Sequence, residues 1–144
     1  MKRIFLITTG GTIASTPTSD GLTPSVTSDE ILEYIPEVDE ICSITTYGLF
    51  NLDSTNVCYQ HWIAIVKCLK EHYSSYDGFV ITHGTDTMAY SAAALSFMLN
   101  NLTKPVIFTG SQLPIGKIRT DGKENLIAAI EIAAAYDQEK AIVP

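Results

Sequence analysis

Three segments of the chain put hydroxyl or carboxylate side chains directly after a glycine that ends an apolar run. They are Leu6-Ile7-Thr8-Thr9-Gly10-Gly11-Thr12-Ile13-Ala14, Phe79-Val80-Ile81-Thr82-His83-Gly84-Thr85-Asp86 and Val106-Ile107-Phe108-Thr109-Gly110-Ser111. Glycine lets a backbone turn sharply and approach a ligand closely. A threonine hydroxyl is a weak nucleophile until a base removes its proton. It also needs N–H donors aimed at the developing oxyanion, and glycine turns at strand ends can supply them. Asp86, beside Thr85, can tune a proton relay or bind a substrate ammonium group. The usual proton acceptor is a lysine kept neutral by burial or by charged neighbours. Lys104, Lys117, Lys123 and Lys140 are available, and no spacing selects one of them. Taken singly, each turn also reads as an ordinary helix start capped by Ser, Thr or Asp. Three together, two with glycine directly before threonine, favour a site.

Other chemistries fit less well. Gly110-Ser111-Gln112-Leu113-Pro114-Ile115-Gly116-Lys117 resembles a phosphate loop, but it has one residue too many between the glycines, and Ile118 stands where Ser or Thr is needed. Gly10-Gly11 lacks the third glycine of a dinucleotide fingerprint. His61 and His72 share one helical stretch and are expected at its edge or in solvent. His83 lies in a site turn without a second histidine or cysteine at ligand spacing, so it is expected to shape the turn by hydrogen bonding. Neither a metal nor a cofactor is expected. Cys58 and Cys68 read as packing residues.

The elements that must position these turns follow from hydrophobic pattern. Arg3 to Thr9, Ile41 to Tyr47, Gly78 to Thr82 and Val106 to Thr109 read as strands. Ser15 to Val26 is rich in Ser, Thr, Pro and Gly and reads as a mobile loop, either a lid over the first turn or plain surface. Thr27 and Glu30 stand at capping-box spacing before a short helix that ends near Pro36. Gly48 to Asn56 is a polar connection containing Asp53, Ser54 and Thr55. Trp62, Ile65, Val66, Leu69 and Tyr73 give helical spacing over Tyr59 to about His72. The segment Thr87 to Asn100 is apolar on most faces, which calls for burial against the sheet or a partner subunit. Arg119 to Tyr136 is a further helix with Leu126, Ile127, Ile130 and Ala134 inward. Alternating strands and helices predict an α/β fold, a mostly parallel open sheet with flanking helices. In such a sheet the three turns share the carboxyl edge, where ligands bind, and Thr12, Thr85, Asp86 and Ser111 are expected in one crevice. Ala141-Ile142-Val143-Pro144 reads as a strand just begun, which suggests a sequence cut within a domain.

The chain has 144 residues, enough for one domain with a substantial core. Lys plus Arg number 9 and Asp plus Glu 16, a formal net charge of −7 that argues against nucleic acid as the main partner. The apolar run after Met1-Lys2-Arg3 is too short for a secretory signal and breaks at Gly10-Gly11. No stretch is long enough to span a bilayer. Three cysteines do not make a disulfide framework, and cytoplasmic residence is the simplest account.

The turns resemble the bacterial L-asparaginase family. Thr9-Gly10-Gly11-Thr12-Ile13-Ala14 is similar to its first signature, and His83-Gly84-Thr85-Asp86-Thr87-Met88-Ala89-Tyr90 to its second. The likeness continues through Ser91 to Leu99, Lys104-Pro105-Val106-Ile107, Thr109-Gly110-Ser111-Gln112-Leu113-Pro114, and Arg119-Thr120-Asp121-Gly122 with Asn125. The Thr-Gly-Ser-Gln form without a secretory signal resembles the cytoplasmic type I branch.

The resemblance implies the family's N-terminal, flavodoxin-like domain over 1–144, incomplete at its C-terminal end, with a smaller C-terminal domain beyond. It implies hydrolysis of L-asparagine to L-aspartate and ammonia through an acyl-threonine intermediate. Thr12 would be the nucleophile. Thr85 and Asp86 would form a second polar cluster, with Asp86 also holding the substrate's amino group. Asp53-Ser54-Thr55 would grip the α-carboxylate, Gly11 would bring backbone N–H groups to the substrate, and Ser111 would sit beside the side-chain amide. The catalytic lysine would lie beyond Pro144. Many relatives carry a tyrosine on the loop where Leu22 follows Gly21 here. The family implies a homodimer or homotetramer. Two further readings stand beside this one. One is an asparaginase-like subunit of a tRNA-dependent amidotransferase, which usually carries a segment before the first signature, whereas here strand one opens the chain. The other is a module that binds an amino acid without turning it over.

Overall fold

The structure, a computed structural model, describes residues 1–137. Lys140 and the strand expected from Ala141 lie outside the described residues. Four strands form one sheet: β1 (Arg3–Gly10), β4 (Ser43–Leu52), β5 (Gly78–Thr82) and β6 (Val106–Thr109), in the order β4-β1-β5-β6. Every pairing among them is parallel. The first connection leads to one side of β1 and the next crosses to the other, so the sheet reverses direction at β1. This is the flavodoxin-like order, and the crevice it opens lies outside the carboxyl ends of the strands flanking that reversal.

Residues on β1 and β5 alternate between two cores, because successive side chains in a strand point to opposite faces. Ile4, Leu6 and Val80 face a cluster with Ile31, Ile35, Leu126 and Ile130. Phe5, Ile7, Phe79 and Ile81 face a second cluster with Ile65, Leu69 and Leu95. Burial on both faces is why these strands read as unbroken apolar runs in the sequence. Helices α2 (Tyr59–His72) and α3 (Met88–Met98) cover one face, and α4 (Gly122–Ala135) covers the other.

The structure corrects several expectations. Ser15 to Val26 is not an irregular loop. It forms an antiparallel hairpin of β2 (Ser15–Thr18) and β3 (Gly21–Pro24), with Pro17 opposite Leu22 and Thr18 opposite Gly21. Gly21 supplies the positive φ of 109° at the tip, and Ser25 and Val26 N–H close the base on Ala14 O at 2.8 and 2.9 Å. Strand β4 continues to Leu52, past the expected end at Tyr47, and its register against β1 shifts between Thr8 and Gly10. Gly48 sits where that irregularity begins, and a glycine inside a strand is a common mark of one. Helix α4 starts at Gly122, not Arg119, because Arg119 has φ 58° and breaks the helical path. Its fully buried residues include Leu126 and Ile130, together with Ala129 and Ala133, while Ile127 and Ala134 are half-buried. Helix α3 buries Ser91 and Leu95 but leaves Tyr90 71% and Phe97 86% exposed, so only one of its faces is covered by this chain. A capping box precedes α1 (Glu30–Glu33) as expected: Thr27 N–H donates to Glu30 Oε2 and Glu30 N–H to Thr27 Oγ1.

Candidate active site

The first glycine turn is built by backbone contact. Gly10 and Gly11 have φ of 98° and 80°, in the region that favours glycine. A Cβ on Gly10 would stand 2.5 Å from Leu52 N, and one on Gly11 would stand 2.5 Å from Gly84 N. A Cβ on Gly84 would meet Ser54 Cβ at 2.6 Å, and one on Gly110 would overlap His83 O. The turns after β1, β4, β5 and β6 are therefore packed closely along one edge, backbone on backbone except where Gly84 meets the Ser54 side chain. Only glycine permits that approach.

Hydrogen bonds lock the arrangement. Thr9 Oγ1 donates to Thr82 O at 2.6 Å, tying the ends of β1 and β5. Gly11 N–H donates to Leu52 O at 3.0 Å, and Ser15 Oγ donates to Gly11 O at 2.7 Å. A single 3₁₀ turn, Thr12–Ala14, follows. After β4, the Asp53 carboxylate caps the next turn, accepting from Thr55 N–H at 3.0 Å and Thr55 Oγ1 at 2.9 Å. Thr87 Oγ1 donates to Ser54 O at 2.7 Å and joins that turn to the second signature.

A polar cleft opens between these turns, lined by Gly11, Thr12, Asp53, Ser54, Gly84, Thr85 and Asp86. Thr12 and Thr85 are half-buried and Asp86 is exposed. The cleft volume is about 90 Å³. At a share of roughly 30 Å³ per water, that is room for about three waters, far short of a dinucleotide.

Thr12, Thr85 and Asp86 thus come together, with Gly11, Asp53 and Ser54 beside them. Two expected residues are placed elsewhere. Thr55 is turned to the Asp53 carboxylate, and Ser111 is buried behind the second turn with its hydroxyl donating to Leu113 O. Neither lines the cleft. Two lining residues on the hairpin, Ser15 and Pro24, escaped the sequence reading, and Leu22, at the position where many relatives carry a tyrosine, lines the cleft beside them. Their signal is non-local, since they reach the cleft only when the hairpin folds over Thr12.

The other candidates also have definite places. Lys104 Nζ donates to Tyr73 O and Tyr76 O, at the amino end of β6 and away from the cleft. Lys117 and Lys123 line a separate groove with Tyr34. The loop that resembles a phosphate binder has its Gln112 and Leu113 N–H groups donating to the Asp121 carboxylate at 2.8 and 3.0 Å, so a protein carboxylate already occupies them. Burial alone would raise the Asp121 pKa; these backbone donors outweigh it and hold the carboxyl below its ordinary value. His83 shapes its turn as expected: Nδ1 donates to Gly84 O at 2.7 Å. His61 accepts from Cys58 N–H at the start of α2, and His72 stacks on Phe5 with ring centroids 4.4 Å apart. Cys68 is buried, and its thiol is pushed up to about 11, first by burial and then by Glu71. Cys58 is exposed at the α2 N-cap, where its thiol accepts from the His61 backbone N–H and its own N–H goes to His61 Nδ1, so it is a cap and not the packing residue the sequence suggested. Among the described residues no group of His, Cys, Asp and Glu is placed to hold a metal ion, and no helix is long and apolar enough to cross a membrane.

A parallel sheet reversing at β1, with paired glycine–threonine turns meeting over a small polar cleft, defines an α/β domain built for a small polar ligand at its carboxyl edge. The family model described as "Asparaginase, N-terminal" matches residues 3–143, and the chain belongs to the asparaginase family. It is 46% identical over 139 residues to L-asparaginase 1 of Escherichia coli, covering 94% of this chain and 41% of that protein. The crystal structure of L-asparaginase I from Vibrio cholerae superposes with a TM-score of 0.85 at 43% identity, covering 94% of this chain and 42% of that one. A glutamyl-tRNA(Gln) amidotransferase component from Pyrococcus furiosus is 42% identical, over 99% of this chain and 33% of its own length. The chain spans about two fifths of the length of the L-asparaginases it matches.

Proposed function

We propose that the intact protein hydrolyses the side-chain amide of L-asparagine to L-aspartate and ammonia, and that residues 1–144 supply its nucleophile-bearing N-terminal domain. The observation that carries this reading is the contact of the first and second glycine turns, which puts Thr12 across one cleft from Thr85 and Asp86. Thr12 Oγ attacks the amide carbon as its proton passes to a base. The tetrahedral oxyanion collapses, the C–N bond breaks, and ammonia leaves with a proton. Water then cleaves the acyl-threonine ester and restores the hydroxyl. Gly11 N–H is spent on Leu52 O, so the oxyanion donor assigned to this turn is the Thr12 N–H. The exposed Asp86 carboxylate receives the substrate ammonium. The Asp53 carboxylate is taken up by Thr55, so holding the α-carboxylate falls to Ser54. No lysine among the described residues lines the cleft, and the final proton acceptor is assigned to a group outside them. Homodimer or homotetramer assembly, and a cytoplasmic location in keeping with three free cysteines, belong to the same proposal.

Replacing Thr12 by Ala in the intact protein is expected to lower kcat for ammonia release by on the order of 10⁴-fold while L-aspartate still binds in calorimetry. Undiminished ammonia release by that variant would overturn the reading. The match to the amidotransferase component favours a second one, amide hydrolysis that serves a partner protein. The two separate on whether ammonia is released from L-asparagine with no partner present.

A further inference from the structure

The second glycine turn is held from behind by a buried chain of hydrogen bonds that the proposed reaction does not use. Trp62 on α2 approaches Ser91 on α3, Nε1 to Oγ, at 2.9 Å. Ser91 Oγ lies 2.8 Å from Nε2 of His83. Nδ1 of His83 lies 2.7 Å from the Gly84 carbonyl oxygen. Both ends fix the direction of the chain. An indole N–H only donates, and a carbonyl only accepts. Ser91 therefore receives the Trp62 proton and gives its own to Nε2. The imidazole proton then sits on Nδ1 and goes to Gly84. Burial pushes the His83 pKa down, against a smaller opposing pull from the Gly84 carbonyl, so the ring is neutral and carries one tautomer.

We propose that His83 is a positioning residue for the reaction: its Nδ1–H clamps the Gly84 carbonyl and fixes the peptide that leads into Thr85, and the Trp62–Ser91 pair sets the tautomer that does so. The place of the clamp gives it leverage. Gly84 is the residue whose backbone touches both Gly11 and Ser54. A rotation of the peptide after it moves Thr85 and Asp86 relative to Thr12. Catalytic groups lose about 100-fold in rate for misplacements on the order of 1 Å. Ser91 has no other assigned role: it is fully buried on the inner face of α3, where a hydroxyl needs partners such as these.

Two substitutions divide the ring's functions. His83→Asn places an amide N–H where Nδ1 stands, keeping the bond to Gly84 and losing Ser91. His83→Gln reaches Ser91 and loses Gly84. In the intact protein, His83→Gln is expected to lower kcat on L-asparagine by on the order of 100-fold with KM changed less than about threefold, while His83→Asn stays within about fivefold of the parent. This kinetic arm rests on the hydrolytic reading. Two resonances in ¹H–¹⁵N spectra do not. The Trp62 indole signal, assigned by its loss in Trp62→Phe, is expected to shift in Ser91→Ala and His83→Asn and hold in His83→Gln. The Thr85 amide is expected to shift in His83→Gln and hold in His83→Asn. Equal effects of the two position-83 variants on kcat and on the Thr85 amide overturn the proposal. If the parent releases no ammonia, the hydrolytic reading fails, and the Thr85 amide alone decides whether His83 positions the turn. If neither position-83 variant folds, Ser91→Ala decides it: both resonances move if the relay sets the clamp, and an unmoved Thr85 amide overturns it.

Discussion

At Gly11 the site depends on a side chain that is absent. A Cβ there would overlap the Gly84 backbone, so the distance between the two threonine turns is set by two glycines in contact. His83 acts one residue away from that contact. It is fully buried, and burial holds its pKa below the ordinary imidazole value of 6.5. Its hydrogen-bond partners are the Ser91 hydroxyl and the Gly84 carbonyl, and its ring packs on Phe108. None of these is charged, and the nearest acid in sequence, Asp86, is exposed to water. The linkage then has one sign. A folded-state pKa lowered by burial means that the unfolded chain takes the proton first as pH falls. The stability His83 contributes is present above about pH 6.5 and is lost as pH falls through the lower folded value. Thermal melts of the parent from pH 7 to pH 5 are expected to fall more steeply than those of His83→Asn, which keeps the Gly84 bond and cannot titrate. Parallel curves would show that His83 is as readily protonated folded as unfolded.

At the scale of elements, the third turn shows how a segment can support the site without lining it. The Asp121 carboxylate accepts both Gln112 and Leu113 N–H, and Asn125 Nδ2 donates to Gly110 O at 2.9 Å. Gly110 in turn packs on the His83 carbonyl. Asp121→Ala removes the acceptor of two exposed N–H groups, which water takes up in part, so the cost is about 0.5–1.5 kcal/mol, and it is expected to lower the melting temperature by a few degrees in differential scanning calorimetry. An unchanged melt would show that water replaces the carboxylate without loss. The same elements show what a sequence can reveal. β1 and β5 are legible because both faces are buried, which leaves continuous apolar runs. Thr12, Thr85 and Asp86 are legible because a parallel sheet sends its carboxyl ends to one edge. The hairpin is not: Ser, Thr and Pro read locally as loop, and its pairing register is set by closure of the base on Ala14. The last residues of β4 hide behind Gly48, whose irregularity mimics a turn. Ser111 stands apart from the cleft through its rotamer. It follows the right glycine, but its hydroxyl turns back to Leu113 O.

Across the whole molecule, the covering of the sheet is uneven. The face under α4 closes over a core that includes Ile31, Ile35 and Val38. The opposite face is covered by α2 and α3, each of which leaves large apolar side chains in solvent, on α2 among exposed Gln60, Lys67, Lys70 and Glu71. Tyr90 and Phe97 are seven residues apart on α3, about two turns, and so share a face; Tyr59 and Ile63, four apart, do the same on α2. All four are exposed. The Trp62–Ser91 bond holds the two helices side by side. Large exposed apolar side chains grouped on a helix face mark an interaction surface. The formal net charge of −7 over these 144 residues gives like copies no electrostatic attraction, so apolar contact is the force this face offers. Phe97→Asp places a charge at the most exposed aromatic of this face without touching either core or the cleft. In sedimentation velocity the intact parent is expected to run as a dimer or tetramer and Phe97→Asp at a lower mass, with an unchanged far-ultraviolet circular dichroism spectrum. If both sediment at the same oligomeric mass, the protomers join through another surface, and this face of α2 and α3 has a different occupant.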